Sequence, residues 1–228
     1  MKRPFTISLF ALLLNNIGMA QSRETLYWTR YLAEINLGRH WEIDVETESR
    51  RLFSPPRQKQ FFLRAVALYK INEKVKAGAG LGYFRMFEDE IGHFSFPELR
   101  PYQQLDVNHT IAGLDLEHSL RTEQRFEKDT LQRRRLETYS YSFRTRYRFQ
   151  VDYSLAKKEK EQGHFAWQIQ NEVFINVNNE PFDQNRFYVG FVVQPFRNIA
   201  LEPGYMRVFQ HSKEKWDVIR LTIRHYPN

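Results

Sequence analysis

The sequence predicts an all-β fold, a transmembrane antiparallel up-and-down β-barrel of about 10–12 strands that follows a cleaved signal peptide. Three observations predict it. The chain begins with a short basic and apolar segment typical of exported proteins. Apolar and polar residues then alternate with a period of two. Many of the alternating segments reach ten residues or more, longer than the five or six that are usual for strands of soluble sheets.

Composition fits this fold class and narrows the function classes. The chain has 228 residues, which suits one barrel domain, and 27% of them are charged. A membrane barrel can be this polar because only alternate residues face lipid. The absence of cysteine excludes disulfides, and the seven dispersed histidines indicate no metal site, so we expect no cofactor. The net charge of +7 is no argument for nucleic-acid binding in an exported chain.

The first twenty residues have the features of a signal peptide. Met1-Lys2-Arg3 is basic, and Phe5–Leu14 is an apolar core of about ten residues, too short to span about 30 Å of hydrocarbon as an anchor. Gly18-Met19-Ala20 places small residues at positions −3 and −1 of a cleavage site before Gln21. We therefore expect a signal peptide at 1–20, an outer-membrane barrel at 21–228, and export to the outer membrane.

Tyr139–Ser154 shows the alternation most clearly. Tyr, Phe and Val lie on one face, whereas the other face carries Ser, Arg, Gln and Asp. Bacterial barrels have even strand numbers, so we expect ten or twelve strands, with twelve preferred, although eleven segments are recognisable. In chain order, the other ten lie near Leu26–Asn36, Trp41–Glu48, Phe61–Ile71, Val75–Met86, Leu99–Asn108, Leu114–Arg121, Phe165–Asn176, Arg186–Gln194, Ile199–Gln210 and Ile219–Arg224.

The connections between these segments differ in length. Short connections are predicted near Gly38, at Ile71–Lys74 and at Pro195–Asn198. Outer-membrane barrels have tight turns on the periplasmic rim and longer loops on the other, and the sequence is compatible with that division. The longer predicted connections are Ser54–Lys59, Glu88–Pro97, Glu127–Arg135, Ala156–Gly163 and Asn178–Gln184.

The apolar face can be buried in a soluble sandwich or can face lipid in a barrel. Strand length, the export signal and aromatic residues near strand ends favour the barrel, in which apolar side chains contact lipid and charged ones line the interior. A soluble exported β-protein that binds carbohydrate stays as an alternative. The aromatic residues expected at the membrane interfaces are Tyr27, Trp28, Trp41, Tyr83, Tyr102, Tyr139, Tyr153, Tyr205, Trp216 and Tyr226.

Short motifs along the chain resemble a family of outer-membrane barrels known as domain of unknown function 2490. The family has no established activity, so the resemblance implies fold and location only. At His118-Ser119 this sequence departs from an expected interior Arg. The resembling elements are Trp28…Leu37…Trp41 before Glu46 and Arg50, Tyr69-Lys70-Ile71-Asn72, Gly78-Ala79-Gly80-Leu81-Gly82-Tyr83, Glu98-Leu99-Arg100 with Gln103-Gln104, Leu120–Phe126, Asn171-Glu172-Val173-Phe174, Asn185-Arg186 and Gly204-Tyr205-Met206.

The polar faces carry nearly balanced charges, which predicts an interior network of Arg and carboxylate pairs. Such pairs would stiffen the barrel and fill much of its bore. A narrow pore, or a vestibule that binds an anion through Arg144, Arg146 and Arg148, is the functional alternative. Gly78, Gly80 and Gly82 would relieve crowding or permit curvature. The candidate network residues are Arg100, Arg121, Glu123, Arg125, Arg144, Arg146, Arg148, Asp152, Glu172, Arg186, Glu202 and Arg220.

Catalytic candidates are few. A nucleophile needs a base within hydrogen-bonding reach, and the nearest set is Glu117-His118-Ser119 with Ser140 or Ser142. His118 and Ser119 would point to opposite faces of one strand. The sequence therefore predicts no enzyme, with an outer-leaflet lipid hydrolase as the alternative. The expected partners are outer-membrane lipids and other envelope proteins.

Overall fold

The structure, a computed structural model, describes residues 23–87, 95–131, 134–155, 164–177 and 181–227. The predicted signal peptide, residues 1–20, lies outside them. The described residues form eleven strands, and among them no helix has the length and apolar character needed to cross a membrane. In chain order these are β1 Arg23–Leu37, β2 Trp41–Leu52, β3 Arg57–Lys70, β4 Val75–Phe87, β5 Ser95–Ile111, β6 Leu114–Leu131, β7 Arg134–Ser154, β8 His164–Asn176, β9 Phe182–Phe196, β10 Ile199–Gln210 and β11 Lys215–His225.

The eleven strands close into one barrel. Each strand pairs antiparallel with its neighbour in sequence, which confirms the up-and-down barrel. The first and last strands close the cylinder by pairing parallel, with Arg23 opposite Lys215 and Ala33 opposite His225. The expectation of an even strand number, and of twelve in particular, is wrong for the described chain. A parallel closing pair allows an odd number, because β1 and β11 then run in the same direction.

The two ends of the barrel differ in their connections. One end, the turn rim, holds the connections at 38–40, 71–74, 112–113 and 197–198, the end of β7, the start of β8 and the end of β11. The opposite end, the loop rim, holds the start of β1, the connections at 53–56 and 211–214, the ends of β4, β6 and β8, and the starts of β5, β7 and β9. The predicted separation of short from long connections is only partly right. The long connection predicted at Glu127–Arg135 is wrong, because β6 and β7 continue as a paired hairpin to Leu131 and Arg134.

Alternation along the strands separates an interior from an exterior. On β7, Arg144, Arg146 and Gln150 are buried, whereas Tyr147 and Tyr153 are exposed. The prediction for the aromatic residues is wrong at Trp28 and Tyr102, which are buried inside the barrel, and at Trp216, which packs against the interior apolar cluster. Each lies at an interior position of its strand, where a ring fills space that shorter side chains would leave open.

Interior glycines make room for two buried rings, those of Tyr102 and Tyr188. A Cβ at Gly80 would lie 2.5 Å from the Tyr102 ring, which belongs to the residue paired with it on β5. Gly190 and Gly204 pair across β9 and β10, and a Cβ on either would collide with Tyr188. The predicted role of the β4 glycines in relieving interior crowding is confirmed at Gly80, because any side chain there would displace a buried ring.

Candidate functional site

The interior of the barrel is where the structure concentrates its buried charge. All twelve predicted network residues lie at interior positions of β5–β11. Eight of them are buried, namely Arg100, Arg121, Glu123, Arg144, Arg146, Glu172, Glu202 and Arg220. Burial of this many ions is costly unless each is paired and hydrogen-bonded, so their partners decide what the interior can do.

Toward the loop rim, two buried carboxylates on β5 and β6 hold three arginines. Glu98 accepts hydrogen bonds from Arg100 at 2.5 and 2.6 Å and from Arg125 at 2.6 Å. Glu123 accepts from Arg144 at 2.6 Å and lies 4.0 Å from Arg100. Each carboxylate therefore bridges two cations, and the paired forks fix both strands of the wall relative to each other.

A third buried carboxylate, Glu172 on β8, has weaker contacts. It lies 3.2 Å from Arg146 and 3.3 Å from Arg186, on the two flanking strands. Arg50 on β2 is better satisfied, since it donates to Glu48 at 2.5 Å and to Gln60 at 2.6 Å. The guanidinium groups that share Glu172 are thus the least completely paired in this part of the interior.

Toward the turn rim, carboxylates and cations match more evenly. Glu46 lies 3.0 Å from Arg30 and accepts from Arg64 at 2.6 Å. Arg224 donates to two carboxylates on the strands flanking β11, at 2.5 and 2.7 Å. Just beyond β11, burial raises the pKa of Tyr226 to about 12, so its hydroxyl stays neutral beside these pairs. Further pairs are Lys76 with Glu42 and Arg148 with Glu117.

Aromatic rings stack on interior arginines, a contact that was not predicted from the sequence. The Arg100 guanidinium lies 3.6 Å from the centre of the Phe84 ring, and Arg220 lies 3.8 Å from that of Tyr188. Such contacts stabilise a desolvated cation that has few other partners. The alternation along β4 indicates an interior position for Phe84, because Phe84 lies on the same face as the interior glycines. Other stacked pairs are Arg50 with Trp28, Arg121 with Tyr102 and Arg186 with Phe174.

Among the described residues, the barrel interior has a cavity toward each rim. The turn-side cavity has a volume of about 210 Å³, and its described lining has six cationic and six carboxylate side chains. The loop-side cavity is of the same size, but its described lining has only two carboxylates, Glu123 and Asp183. Its eight cationic residues are Arg50, Lys59, Arg64, Arg100, Arg125, Arg144, Arg146 and Arg186.

A constriction lies between these cavities. A central cavity of about 30 Å³ shares Arg30, Glu46 and Arg148 with the turn-side cavity and Arg50 and Arg186 with the loop-side one. This volume holds no more than a few water molecules. Charged and aromatic side chains thus fill the middle of the barrel, while space opens toward both rims.

The catalytic candidates are not brought together. His118 lies on the exterior, where its Nδ1 forms a 2.7 Å hydrogen bond with the Tyr147 hydroxyl, while Ser119 is buried inside. Ser140 donates to Asp129 instead of approaching a histidine. Within the described ranges no group of three or more His, Cys, Asp and Glu side chains is arranged to hold a metal ion.

Comparison with known proteins adds the family. The family model described as "Protein of unknown function (DUF2490)" matches residues 25–218, which include almost all of the barrel. No curated protein matches the chain, and no solved structure does. The resemblance inferred from short motifs is therefore confirmed over the barrel. The chain belongs to the DUF2490 family and forms a closed β-barrel that contains buried Arg and Glu ion pairs.

Proposed function

We propose that the chain is a non-enzymatic outer-membrane barrel whose own side chains plug its interior, so that it serves as a structural wall of the envelope and not as a diffusion pore. The observation that carries the proposal is the reversed distribution of polarity. Buried charges fill the inside, and large apolar side chains cover the outside. A soluble monomer rarely exposes an apolar surface that extends beyond a few hundred Å².

The apolar exterior supports contact with lipid around the whole circumference. Each strand exposes at least one large apolar side chain, so the belt has no polar gap. Toward the turn rim, Trp41 packs against Tyr69 on the neighbouring strand, and toward the loop rim Phe126 packs against Tyr141. Aromatic residues at both ends of an apolar belt suit the two membrane interfaces. One exposed residue from each strand is Tyr31, Trp41, Leu63, Leu81, Leu105, Leu120, Tyr147, Ile169, Phe187, Tyr205 and Ile219.

A matched pair of arginine substitutions tests membrane insertion. Leu81 is 50% exposed in the middle of β4, whereas Ile71 is 57% exposed in a turn at the rim. An Arg at the midplane of a membrane barrel costs about 2–4 kcal/mol, but about 0–1 kcal/mol near the interface. We expect Leu81→Arg to reduce the fraction of protein that resists carbonate extraction, and Ile71→Arg to leave it unchanged. Equal behaviour of the two variants, with wild-type protein washed off by carbonate, would support the soluble alternative.

Conductance tests the plugged interior. The central constriction supports a barrel that passes no steady current, because a cavity of about 30 Å³ lined by charged and aromatic side chains holds only a few water molecules. We expect purified protein to insert into planar bilayers without stable open-channel steps. Steady conductance in wild-type protein would replace the structural proposal with the narrow-channel one. Hydrolysis of phospholipid or of lipid A, abolished in His118→Ala, would instead establish the enzyme alternative.

The proposed location includes export. Sequencing the N-terminus of protein recovered from membranes tests cleavage before Gln21. We propose outer-membrane lipids as the principal partners, since the exposed belt surrounds the barrel. Recovery of uncleaved protein in the inner membrane would contradict the location while leaving the barrel itself unaffected.

A further inference from the structure

Three arginines converge on a single interior ring, that of Phe174. The guanidinium carbons of Arg186, Arg144 and Arg146 lie 4.4, 4.9 and 5.9 Å from its centre. Phe174 is almost fully buried, so the ring provides a fixed, dry platform. We call these four residues the Phe174 cluster. Three like charges around one ring repel one another unless anionic groups lie among them.

Strand register explains the convergence. Phe174 pairs directly with Arg146 on β7, and Arg144 precedes Arg146 by two residues on the same strand. On the other side, Arg186 pairs with Glu172, which is two residues before Phe174 on β8. Interior positions of neighbouring strands lie side by side, so the ring receives arginines from both of its neighbours. The arrangement follows from the backbone and does not need long side chains to reach across the bore.

Within the cluster, Arg144 donates to Glu123 and Asp183, whereas Arg146 and Arg186 are less well satisfied by the protein's own acceptors. Glu172 is shared by Arg146 and Arg186 at 3.2 and 3.3 Å, longer than a strong charged hydrogen bond. In the described part of the chain, Nε and Nη2 of Arg146 are buried without a hydrogen-bond partner. Among the described arginines, Arg146 is the one with two buried side-chain nitrogens that lack a hydrogen-bond partner. A buried guanidinium with free donors is costly, so a ligand or water must reach it.

The turn-side cavity provides the contrast. There Arg224 is held by two carboxylates at 2.5 and 2.7 Å, and the lining charges are equal in number. The loop-side cavity contains all three arginines of the Phe174 cluster and only two carboxylates in its described lining. The excess of cationic over carboxylate side chains is therefore concentrated in the cavity nearer the loop rim.

We propose that the Phe174 cluster binds a phosphoryl group that enters the loop-side cavity. A phosphate monoester presents three terminal oxygens, enough to accept from three guanidinium groups at once, whereas a carboxylate presents two. The cavity of about 210 Å³ admits the phosphoryl group together with a small part of the molecule that carries it. The site goes beyond the structural role and requires only the barrel interior, not the membrane.

Calorimetric titration of the purified full-length mature protein in detergent tests the site. Inorganic phosphate is the probe, at constant ionic strength, with chloride as the comparison anion. We expect saturable binding of phosphate and none of chloride. Failure of wild-type protein to bind phosphate would overturn the proposal, even if carbonate extraction and bilayer experiments support the membrane barrel. If the protein binds phosphate but washes off membranes, the phosphoryl site stands and the proposed outer-membrane location is wrong.

Two substitutions with opposite expected signs separate binding from a structural role. Arg146→Gln should weaken phosphate binding about tenfold or more, because it removes charged hydrogen bonds. Glu172→Gln should tighten binding several-fold, because it frees Arg146 and Arg186 from a competing carboxylate. The matched control is Arg224→Gln, an interior arginine of the turn-side cavity that pairs with Glu34 and Glu202, which should leave affinity unchanged.

Further outcomes are decisive. Equal loss in Arg146→Gln and Arg224→Gln, or loss in Glu172→Gln, would assign the arginines to packing alone and overturn the site. If Arg146→Gln does not fold, the Glu172→Gln and wild-type titrations decide the matter. Two arms then distinguish the source of the group. Glucose 1-phosphate is the competitor that represents a free ligand. Vesicles with about 10 mol% phosphatidic acid are the competitor that represents a lipid headgroup. Competition by either one identifies the source of the phosphoryl group.

Discussion

The interior of the barrel has two walls that are stabilised differently. An apolar wall spans the closing strands toward the loop rim and consists of Leu26, Trp28, Leu52, Tyr188, Met206, Val208 and Val218. A charged wall faces it from β5 to β8 and consists of Glu98, Arg100, Arg121, Glu123, Arg144, Arg146 and Glu172. Both walls are buried to a similar degree and belong to one continuous sheet.

The two walls impose different requirements on their residues. The apolar wall needs complementary shape, because its stability comes from excluding water and filling space. The charged wall needs complete pairing, because each desolvated ion must find an opposite charge. The loop-side part of the parallel β1 and β11 pair lies within the apolar wall and is held by packing, whereas Arg224 and Glu34 join these two strands nearer the turn rim. The comparison predicts that single changes in the charged wall cost more than equal truncations in the apolar wall.

The largest effect is expected at Glu123. It is 3% exposed and bridges Arg144 and Arg100, so Glu123→Ala removes a shared carboxylate from two buried cations and leaves Arg144 with Asp183 and Arg100 with Glu98. We expect a loss of about 3–5 kcal/mol in the free energy of unfolding. A urea titration in which heat-modifiable gel mobility reports the folded fraction measures this free energy. The control is Glu127→Ala, which removes a partly exposed partner of Arg125 and should cost less than about 1 kcal/mol.

A truncation in the apolar wall should have a somewhat smaller effect. Met206 is 1% exposed and packs among the closing strands, so Met206→Ala should cost about 2–5 kcal/mol, depending on how far the wall collapses. The exterior residue Leu221 loses a similar volume in Leu221→Ala but is 40% exposed. It should change the unfolding midpoint in detergent by about 0.5 kcal/mol or less. Equal losses for the two would mean that the apolar wall is not a packed core.

The sequence could predict the charged wall but not the apolar one. Arg144 and Arg146 alternate with aromatic residues, so a period of two separates their face from the exterior without ambiguity. Trp28 and Met206 have apolar neighbours on the opposite face as well, and alternation then gives no contrast. Phe174 was predictable in principle, since it shares a face with Glu172. The pattern assigns it to the interior even though the residue type suggests lipid.

The pairing of charges and the closing of the barrel were also beyond the sequence. Arg144 contacts Asp183 across the intervening strand β8, and this contact depends on the register of two hairpins. Strand direction at the closure depends on which ends meet, and eleven alternating segments do not reveal whether a twelfth is needed. Recognising eleven segments was correct, and the general rule of even numbers led to the wrong total.

A close contact in the apolar wall gives the third prediction. A Cβ on Gly204 would lie 2.4 Å from the Tyr188 ring, so Gly204→Ala forces the ring out of its place. We expect a cost of about 1–3 kcal/mol from overpacking. The double variant with Tyr188→Leu should be no less stable than Tyr188→Leu alone, because the colliding ring is gone. A double-mutant cycle measures this coupling, and additive effects would contradict the proposed contact.

The smallest effect is expected where the two walls meet at the loop rim. Lys59 pairs with Glu24 and lies 4.4 Å from the Trp216 ring, which packs against the apolar wall. Both side chains of the pair are more than a quarter exposed, so Glu24→Gln should cost about 0.2–1 kcal/mol at low ionic strength. Salt near 1 M shortens the screening length to about 3 Å and should remove the difference from wild type. The loss in Glu123→Ala should persist in the same salt, since its arginines stay desolvated. If both losses vanish together, the interior is hydrated like the rim, and the distinction between a sealed charged wall and an open edge is wrong.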